Sequence, residues 1–276
     1  MKIFRVKTIM EEDFSKYNGE GTDLRKAQLR MLDILIAVDK ICRKHNIPYW
    51  LDYGTLLGAV RHGGFIPWDD DVDISMMKDD YNRFLAIAPK ELPEQFAIQN
   101  TNTEKYHYVP FTKVIDKYSK VTVISKNQLQ QKRKYQGLWI DIFPVIKGDV
   151  RYLNLVEPLY VRCFHRIHHF EPFNFKVLVA YMLYPFVWVA KQIICLQGLL
   201  GDKEKIMEDF GVPETAPARQ KFYSDYLPTR EIQFEGVSFP APNHTDKVLT
   251  KEYGDYMQVP PEDKRIIHHA EITYLK

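Results

Sequence analysis

The amino-acid sequence predicts an α+β protein with a mixed sheet in its first half, flanking helices, and a helical insertion after Gly148. Three observations lead to this prediction. Apolar residues recur at helical spacing over Asp23–His45, four segments rich in β-branched and aromatic residues lie between 96 and 143, and the pattern turns helical from about Arg151 to Leu200. The composition is that of a globular protein, because 45% of the residues are hydrophobic and 27% are charged.

The individual elements follow from the same patterns. Thr22 is suited to cap the helix of Asp23–His45, and Pro48 disfavours its continuation. The remaining elements are a strand at Tyr49–Gly54, a short helix from Thr55 to His62, a strand at Val72–Met76, a helix at Asp79–Ala88, a hairpin at Arg230–Pro242 with its turn at Glu235-Gly236, a helix at Thr245–Tyr253 and an irregular tail.

This pattern divides the chain into three parts. Residues 1–150 are predicted to form the catalytic core, and residues 151–229 a helical insertion that contacts the acceptor or a membrane surface. Residues 230–276 would form a hairpin and tail that pack back on the core.

Charge and cysteine usage exclude several classes of protein. The 38 Lys and Arg nearly balance the 36 Asp and Glu without a basic stripe, so no nucleic-acid partner is expected. The three cysteines are far apart in the sequence, and none forms a C-x-x-C motif. This argues against a disulfide framework and against a cysteine zinc site. The first residues do not resemble a signal peptide, and a cytoplasmic location is expected, at the inner face of the membrane if the insertion touches lipid.

One segment qualifies that expectation. Val177–Ala190 contains no charged residue, but it is shorter than the about 20 apolar residues that span a bilayer. Pro185 also interrupts it. We therefore expect a buried helix pair, with peripheral membrane contact as the alternative.

The densest chemical signal is the run from Asp69 to Asp73. Alternate residues of an extended chain point the same way, so Asp69, Asp71 and Asp73 are predicted to share one face while Val72 faces the core. Several carboxylates on one face repel one another unless a cation lies between them. An all-oxygen set suits Mg²⁺ or Mn²⁺, so these residues are predicted metal ligands.

A phosphate-binding turn is predicted upstream of these acids. Gly54 and Thr55 lie where a strand passes into a helix, and free backbone N–H groups at such a turn bind phosphate. Arg61 and His62 lie between the turn and the acids and are candidates for contacting donor phosphates. Together the turn and the acids indicate a phosphate-and-metal site of the nucleotidyltransferase type.

Two further candidates come from later strands. Asp141 is flanked by Ile140, Ile142 and Phe143, so its side chain should project away from them, toward the metal. It is predicted to serve as metal ligand, as base for the attacking hydroxyl, or both. Lys113 is a candidate contact to the donor phosphates.

Three runs of sequence carry a resemblance to a known family. LDYGTLLGAVRHGGFIPWDDDVDI, then WIDIFP, and late in the chain YGDYMQVPPEDKRIIHH resemble the LicD family of bacterial phosphocholine transferases and fukutin-related enzymes. The resemblance covers Leu24 to Pro144 and Tyr253 to His269. It places Lys264 and Arg265 in a family-like tail, whereas about 151–230 matches nothing recognisable.

The resemblance implies a fold and an activity. The fold would be a DNA polymerase beta-like nucleotidyltransferase, and the donor a CDP-linked alcohol such as CDP-choline. The acceptor would be a hydroxyl of a cell-surface glycan or glycolipid, of the lipopolysaccharide, teichoic acid or capsule type. In the family the W-D-x-D-x-D acids bind the metal, which carries over to Asp69, Asp71 and Asp73, and the acid of the later strand carries over to Asp141.

Two other classes of function stay open. A D-x-D glycosyltransferase would use the acids to hold a nucleotide sugar, and a non-enzymatic module would use them to bind calcium or glycan. Trp50, Tyr53 and Trp68 are candidates for stacking on cytosine or on a quaternary ammonium group, and the sequence does not choose between these roles. Choline, ethanolamine and ribitol therefore all remain open as the transferred group.

Overall fold

The computed structural model describes residues 13–123, 130–168, 174–211, 220–265 and 269–275. The first twelve residues, where no signal peptide is predicted, lie outside these ranges. Within them the α-helices are α1 (Ser15–Asn18), α2 (Asp23–Lys44), α3 (Tyr53–His62), α4 (Lys78–Glu91), α5 (Val150–His168), α6 (Phe175–Leu200), α7 (Tyr223–Tyr226) and α8 (Thr245–Tyr253). The strands are β1 (Trp50–Leu51), β2 (Asp73–Met77), β3 (Phe96–Gln99), β4 (Thr112–Asp116), β5 (Ser119–Val123), β6 (Trp139–Lys147), β7 (Lys205–Glu208), β8 (Lys221–Phe222), β9 (Arg230–Phe234), β10 (Val237–Ala241) and β11 (His269–Tyr274).

The long N-terminal helix forms as predicted. The hydroxyl of Thr22 accepts a hydrogen bond from the backbone N–H of Arg25 at 3.2 Å, which caps α2. Its buried face, including Met31, Leu35 and Val38, packs in the main hydrophobic core. The next prediction is less accurate, because Asp52 caps a helix that begins at Tyr53 and leaves only two residues in β1.

A mixed sheet occupies the centre of the molecule, so the α+β class is confirmed. Among the described strands its order is β1-β2-β6-β4-β3, with β7 added to β6 and β8 to β7. β2 and β6 are parallel, whereas the other pairs are antiparallel. The nine-residue β6 holds the sheet together, because its two halves have different neighbours on one side.

The two faces of this sheet differ sharply. Ile74, Ile140 and Ile142 are fully buried in the core that also contains the buried face of α2. Side chains alternate along a strand, so Asp73 and Asp141 project from the opposite face. That face carries the candidate site.

Residues 150–200 form a helical hairpin, as the pattern predicted, but its packing differs from the prediction. α6 runs without interruption through Pro185, and large apolar side chains such as Met182 and Phe186 are 64% and 74% exposed. The expectation of a buried helix pair over Val177–Ala190 is therefore wrong. Within the described ranges, α6 alone is long and apolar enough to cross a membrane, by length and composition only.

The C-terminal segment returns to the core. The predicted hairpin is confirmed as β9 and β10, and Glu235 and Gly236 at its turn both have positive φ angles, as a tight two-residue turn requires. The tail is not wholly irregular, because β11 pairs with β5. β7 and β8, from the range predicted as a helical insertion, extend the central sheet instead.

Candidate active site

A row of charged side chains crosses the polar face of the sheet. Asp73 on β2 is the register partner of Asp141 on the parallel strand β6, and Asp141 is in turn the partner of Lys113 on β4. Neighbouring strands lie about 4.8 Å apart, so the three side chains stand next to one another. The structure therefore brings together residues that the sequence separates widely.

Asp141 is held from two sides. Its Oδ1 lies 2.5 Å from the Lys113 ammonium, and its Oδ2 accepts a hydrogen bond from the Trp139 indole N–H at 3.3 Å. The Lys113 ammonium also lies 4.3 Å from the Trp139 ring centroid and 5.3 Å from that of Phe111. Burial lowers the pKa of Lys113, and the neighbouring Asp141 carboxylate opposes that effect.

The other two acids form a pair. The carboxyl groups of Asp69 and Asp71 are hydrogen-bonded to each other, and the pKa of Asp69 is well above its ordinary value because of burial and repulsion from Asp71 and Asp70. Gly54 lies directly against them. A Cβ at this position would lie 2.9 Å from Oδ2 of Asp69 and 4.0 Å from Oδ1 of Asp71. The absence of a side chain at Gly54 therefore leaves room for the acid pair.

The predicted phosphate-binding turn has a clear positioning function. The Thr55 hydroxyl accepts a hydrogen bond from the backbone N–H of Asp73 at 2.8 Å, which ties the start of α3 to the start of β2. Tyr53 opens α3 with a φ of 46°, an uncommon conformation for a residue other than glycine. Such strain is held in place by the surrounding packing.

Two distant elements hold the loop between α3 and the acids. Gln28 on α2 is fully buried, and its amide donates hydrogen bonds to the backbone carbonyls of Asp69 and Ile66 at 2.9 and 3.3 Å. Glu235, at the tip of the β9–β10 hairpin, accepts from the backbone N–H of Phe65 at 3.1 Å and from Arg25 at 2.7 Å. Sequence reasoning missed both residues, since nothing in their local pattern signals the contact.

A buried ionic cluster beneath the turn was also missed. The ammonium of Lys221 forms ion pairs with Glu208 and, at 3.3 Å, with Asp52, and it donates to the Tyr53 hydroxyl at 3.1 Å. Burial alone would lower the pKa of Lys221, but Asp52 and Glu208 hold it well above its ordinary value. Asp52 also accepts from Ser75 at 2.7 Å, so the cluster joins β8, β7, β2 and the start of α3.

The aromatic candidates lie in different environments. Trp50 is fully buried, packs on Tyr226 and donates to Asp52, so it presents no surface to a ligand. Tyr53 is buried, and its hydroxyl donates to Glu208 at 2.6 Å. Trp68 is buried, and the guanidinium carbon of Arg265, from the tail, lies 4.7 Å from its ring centroid.

The two candidate phosphate contacts at the end of α3 are already engaged within the protein. Arg61 donates to the backbone carbonyls of Tyr256 and Gln258 at 2.9 and 3.1 Å, and to the His62 ring at 3.0 Å. Burial and the nearby Arg61 lower the pKa of His62 to about 4, so this ring is neutral at physiological pH. Arg61 thus ties the tail to the site.

The chemistry of the acids fits a hard divalent cation. They supply only carboxylate oxygens, and the contact between Asp69 and Asp71 is one that a cation would relieve. In the described part of the chain, however, no three His, Cys, Asp or Glu side chains converge as a metal-binding group. The acids stand instead as the Asp69–Asp71 pair beside the Asp73, Asp141 and Lys113 row.

Comparison with known proteins places this site in a family. Residues 46–174 match the family model for the LicD/FKTN/FKRP nucleotidyltransferase domain. The matched range contains Gly54, the run Asp69–Asp73, Lys113 and Asp141. Residues 46–174 are therefore similar to the LicD-type domain.

Individual relatives extend the similarity. The lipopolysaccharide cholinephosphotransferase LicD of Haemophilus influenzae is 27% identical over 270 residues, covering 91% of this chain and 98% of that protein. Human ribitol 5-phosphate transferase FKRP is 56% identical over 35 residues, which cover 13% of this chain and 7% of that protein. An uncharacterised protein of Rickettsia typhi is 31% identical over 149 residues, or 54% of this chain and 44% of that protein.

Proposed function

We propose that this protein is a metal-dependent phosphotransferase that moves phosphocholine, or a related phospho-alcohol, from a CDP-linked donor to a hydroxyl of a cell-surface glycan. The observation that carries the proposal is the row of Asp73, Asp141 and Lys113 beside the Asp69–Asp71 pair. The named activities of the Haemophilus and human relatives, transfer of cholinephosphate and of ribitol 5-phosphate, support the same class of reaction. A lipopolysaccharide-type acceptor follows from the first of these.

The proposed reaction exchanges one P–O bond for another. The acceptor hydroxyl oxygen forms a bond to the phosphorus that carries the alcohol, and the bond from that phosphorus to the bridging oxygen breaks. CMP leaves with the electron pair, and the hydroxyl proton passes to the Asp141 carboxylate. Most of the rate in such a transfer comes from positioning and charge stabilisation.

The residues have distinct proposed roles in this scheme. Asp69, Asp71, Asp73 and Asp141 would hold Mg²⁺ or Mn²⁺, which when bound supplies positive charge near the phosphate oxygens. Lys113 adds a buried positive charge from the protein itself and orients Asp141 through their ion pair. The backbone N–H groups at Gly54 and Thr55, at the start of α3, would receive a donor phosphate.

The alternative functions fit the structure less well. A D-x-D glycosyltransferase would need a parallel nucleotide-binding βαβ unit before the acids. Here β1 and β2 are antiparallel, with α3 between them. A binding module would have no use for a buried lysine that orients one acid of the set.

A donor screen tests the proposal. CDP-choline, CDP-ethanolamine and CDP-ribitol are each incubated with lipopolysaccharide or teichoic acid, with Mg²⁺, with Mn²⁺ and with EDTA, and CMP release and product mass are measured. We expect acceptor-dependent CMP release that EDTA abolishes. Release of UDP from UDP-sugars would instead show a glycosyltransferase, and saturable glycan binding without turnover of any donor would show a binding module.

A further inference from the structure

The α5–α6 hairpin presents a large apolar surface to the outside of the protein. Many of its long apolar and aromatic side chains are exposed, and the most exposed of these are Leu155, Phe175, Met182, Phe186, Leu199 and Leu200. Monomeric soluble proteins rarely leave contiguous apolar patches of this kind uncovered. The face therefore needs a partner.

Charge is almost absent from the outer surface of α6. Between Val177 and Leu200 the only charged residue is Lys191, and it is turned inward, because its ammonium lies 2.8 Å from Asp209 and its side chain is 16% exposed. Trp188 and Tyr181, half-exposed on the same helix, are residue types that favour the boundary between lipid and water. This face is therefore apolar and carries aromatic residues of the kind found at a boundary between lipid and water.

The helix is attached along its whole length. A buried stripe runs from Val177 through Val187 to Gly198, so both ends of α6 contact the rest of the protein. At Gly198 the contact is so close that a Cβ would lie 1.9 Å from the carbonyl oxygen of Lys147. A helix of 26 residues is about 39 Å long. Because buried positions recur from one end of the helix to the other, this attachment favours a helix that lies in a membrane surface over one that crosses the membrane.

The charge around the face selects the kind of surface. Besides the inward-turned Lys191, the segment 150–200 contains four Lys and Arg against two Glu, although the rest of the chain is nearly neutral. Arg162 on α5 is exposed, and so is Arg151, which also forms an ion pair with Asp149 at 2.8 Å. Near an anionic bilayer such cations strengthen binding. A second copy of the hairpin would bring these like charges together instead.

A cleft connects this face with the central sheet. It has a volume of about 470 Å³, and its lining includes Trp188 and Leu199 of α6 together with Lys78 and Lys147 at the ends of β2 and β6. β2 is the strand that begins at Asp73. The cleft thus extends from the apolar face of α6 to the C-terminal end of this strand.

We propose that the outer face of the α5–α6 hairpin binds the surface of an anionic lipid bilayer, with α6 parallel to the membrane plane. The contact orients the protein and presents the cleft to molecules embedded in the same leaflet. This inference does not depend on the proposed transfer reaction, because binding is measured without donor or turnover.

The fluorescence of Trp188 in the full chain can report binding to lipid vesicles. Of the four tryptophans, Trp50 and Trp68 are buried and Trp139 is partly buried, whereas Trp188 is 50% exposed. With vesicles of phosphatidylglycerol and phosphatidylcholine we expect co-sedimentation and a blue shift of the tryptophan emission. Trp188→Phe should lose the shift but still sediment. Vesicles of phosphatidylcholine alone should bind about tenfold more weakly, as loss of about 1.4 kcal/mol implies.

Matched variants test whether vesicle binding depends on this face or on nonspecific hydrophobic adsorption. Phe186→Glu and Met182→Glu should each weaken vesicle binding about tenfold or more, with an unchanged circular dichroism melt because both side chains are exposed. Leu29→Glu, at a 44% exposed position on α2, should bind like the unmodified chain. Three outcomes would overturn the proposal: no binding to anionic vesicles, equal binding by Phe186→Glu, or a lipid-free dimer in light scattering that Phe186→Glu dissociates.

Discussion

The central sheet and the α5–α6 hairpin differ in which side chains they expose to solvent. On the polar side of the sheet, Lys221, Asp52 and Glu208 are each less than a tenth exposed, whereas on the hairpin Phe186 and Leu155 are more than two-thirds exposed. Burying an ion costs several kcal/mol unless a partner lies beside it. Leaving a large apolar side chain in water forgoes about 1.5–3 kcal/mol.

The two costs are offset in different places. The sheet offsets its cost internally, because each buried charge in the cluster has a partner within the chain. The hairpin has no such internal partner for its outer face among the described residues, and the proposed bilayer contact would offset its cost instead. Hydrophobicity alone therefore does not determine which side chains are buried in this molecule. Charged side chains are buried where they have ionic partners, and apolar side chains are exposed on the face that is proposed to bind lipid.

The largest expected effect is on the acids of the sheet. Asp73→Asn keeps the shape of the side chain but removes its charge, and we expect turnover of the best donor to fall at least about 100-fold with the melting temperature little changed. Asp71→Asn should behave in the same way. Asp33→Asn, at a side chain that is 60% exposed on α2, is the matched control and should retain full activity. Full activity of Asp73→Asn at ordinary Mg²⁺ concentrations would contradict the site assignment.

The next effect is on stability. Lys221→Met leaves Asp52 and Glu208 buried without their cation, so we expect the free energy of unfolding to fall by about 3–5 kcal/mol in denaturant titration. Lys203→Met removes an exposed lysine nearby and should change it by less than about 0.5 kcal/mol. Equal stability of the two variants would show that the buried cluster does not stabilise the fold.

Two glycines on α3 distinguish site geometry from packing. In Gly54→Ala the new methyl group meets the end of the Asp69 side chain, so turnover should fall about 10–100-fold while the helix itself is favoured by about 1 kcal/mol. In Gly58→Ala it meets the backbone carbonyl of Gly64 at 2.5 Å, so stability should fall by about 1–3 kcal/mol. Thermal melts and initial rates are measured for both variants. A lower melting temperature for Gly54→Ala than for Gly58→Ala would contradict the prediction.

The smallest expected effect is on the hairpin. Leu155→Ala removes an apolar side chain that is 79% exposed, and without lipid the free energy of unfolding should change by less than about 0.5 kcal/mol. Leu35→Ala makes the same change at a fully buried position on α2 and should cost about 2–5 kcal/mol. A large loss of stability in Leu155→Ala would mean that another part of the chain covers this face.

The sequence predicted those features that depend on neighbours along the chain. The cap at Thr22 and the turn at Glu235-Gly236 are local patterns, and the structure contains them. The direction of Asp141 was predicted correctly from Ile140 and Ile142, which lie in the core, but Phe143 shares the face of Asp141 and packs with Tyr53, contrary to the prediction. The metal and the roles of the acids stay predictions.

The missed features depend on contacts between distant residues. Lys221 lies in a two-residue strand and meets Asp52 from 169 positions away, so no window of sequence reveals the pair. The exposure of α6 was mispredicted for a related reason. Its residues indicate an apolar environment, but periodicity does not say whether protein or lipid provides that environment.

The Glu235 clamp on the loop beside the acids has a consequence for how the protein is made. Phe65 and Glu235 are 170 residues apart, and a ribosome adding about 5–20 residues per second takes roughly 10–30 s to travel from one to the other. During that interval the nascent chain already displays the acids and then extrudes the whole of α6. Its apolar helix thus becomes available to a membrane before the hairpin that fixes the acid loop has been synthesised.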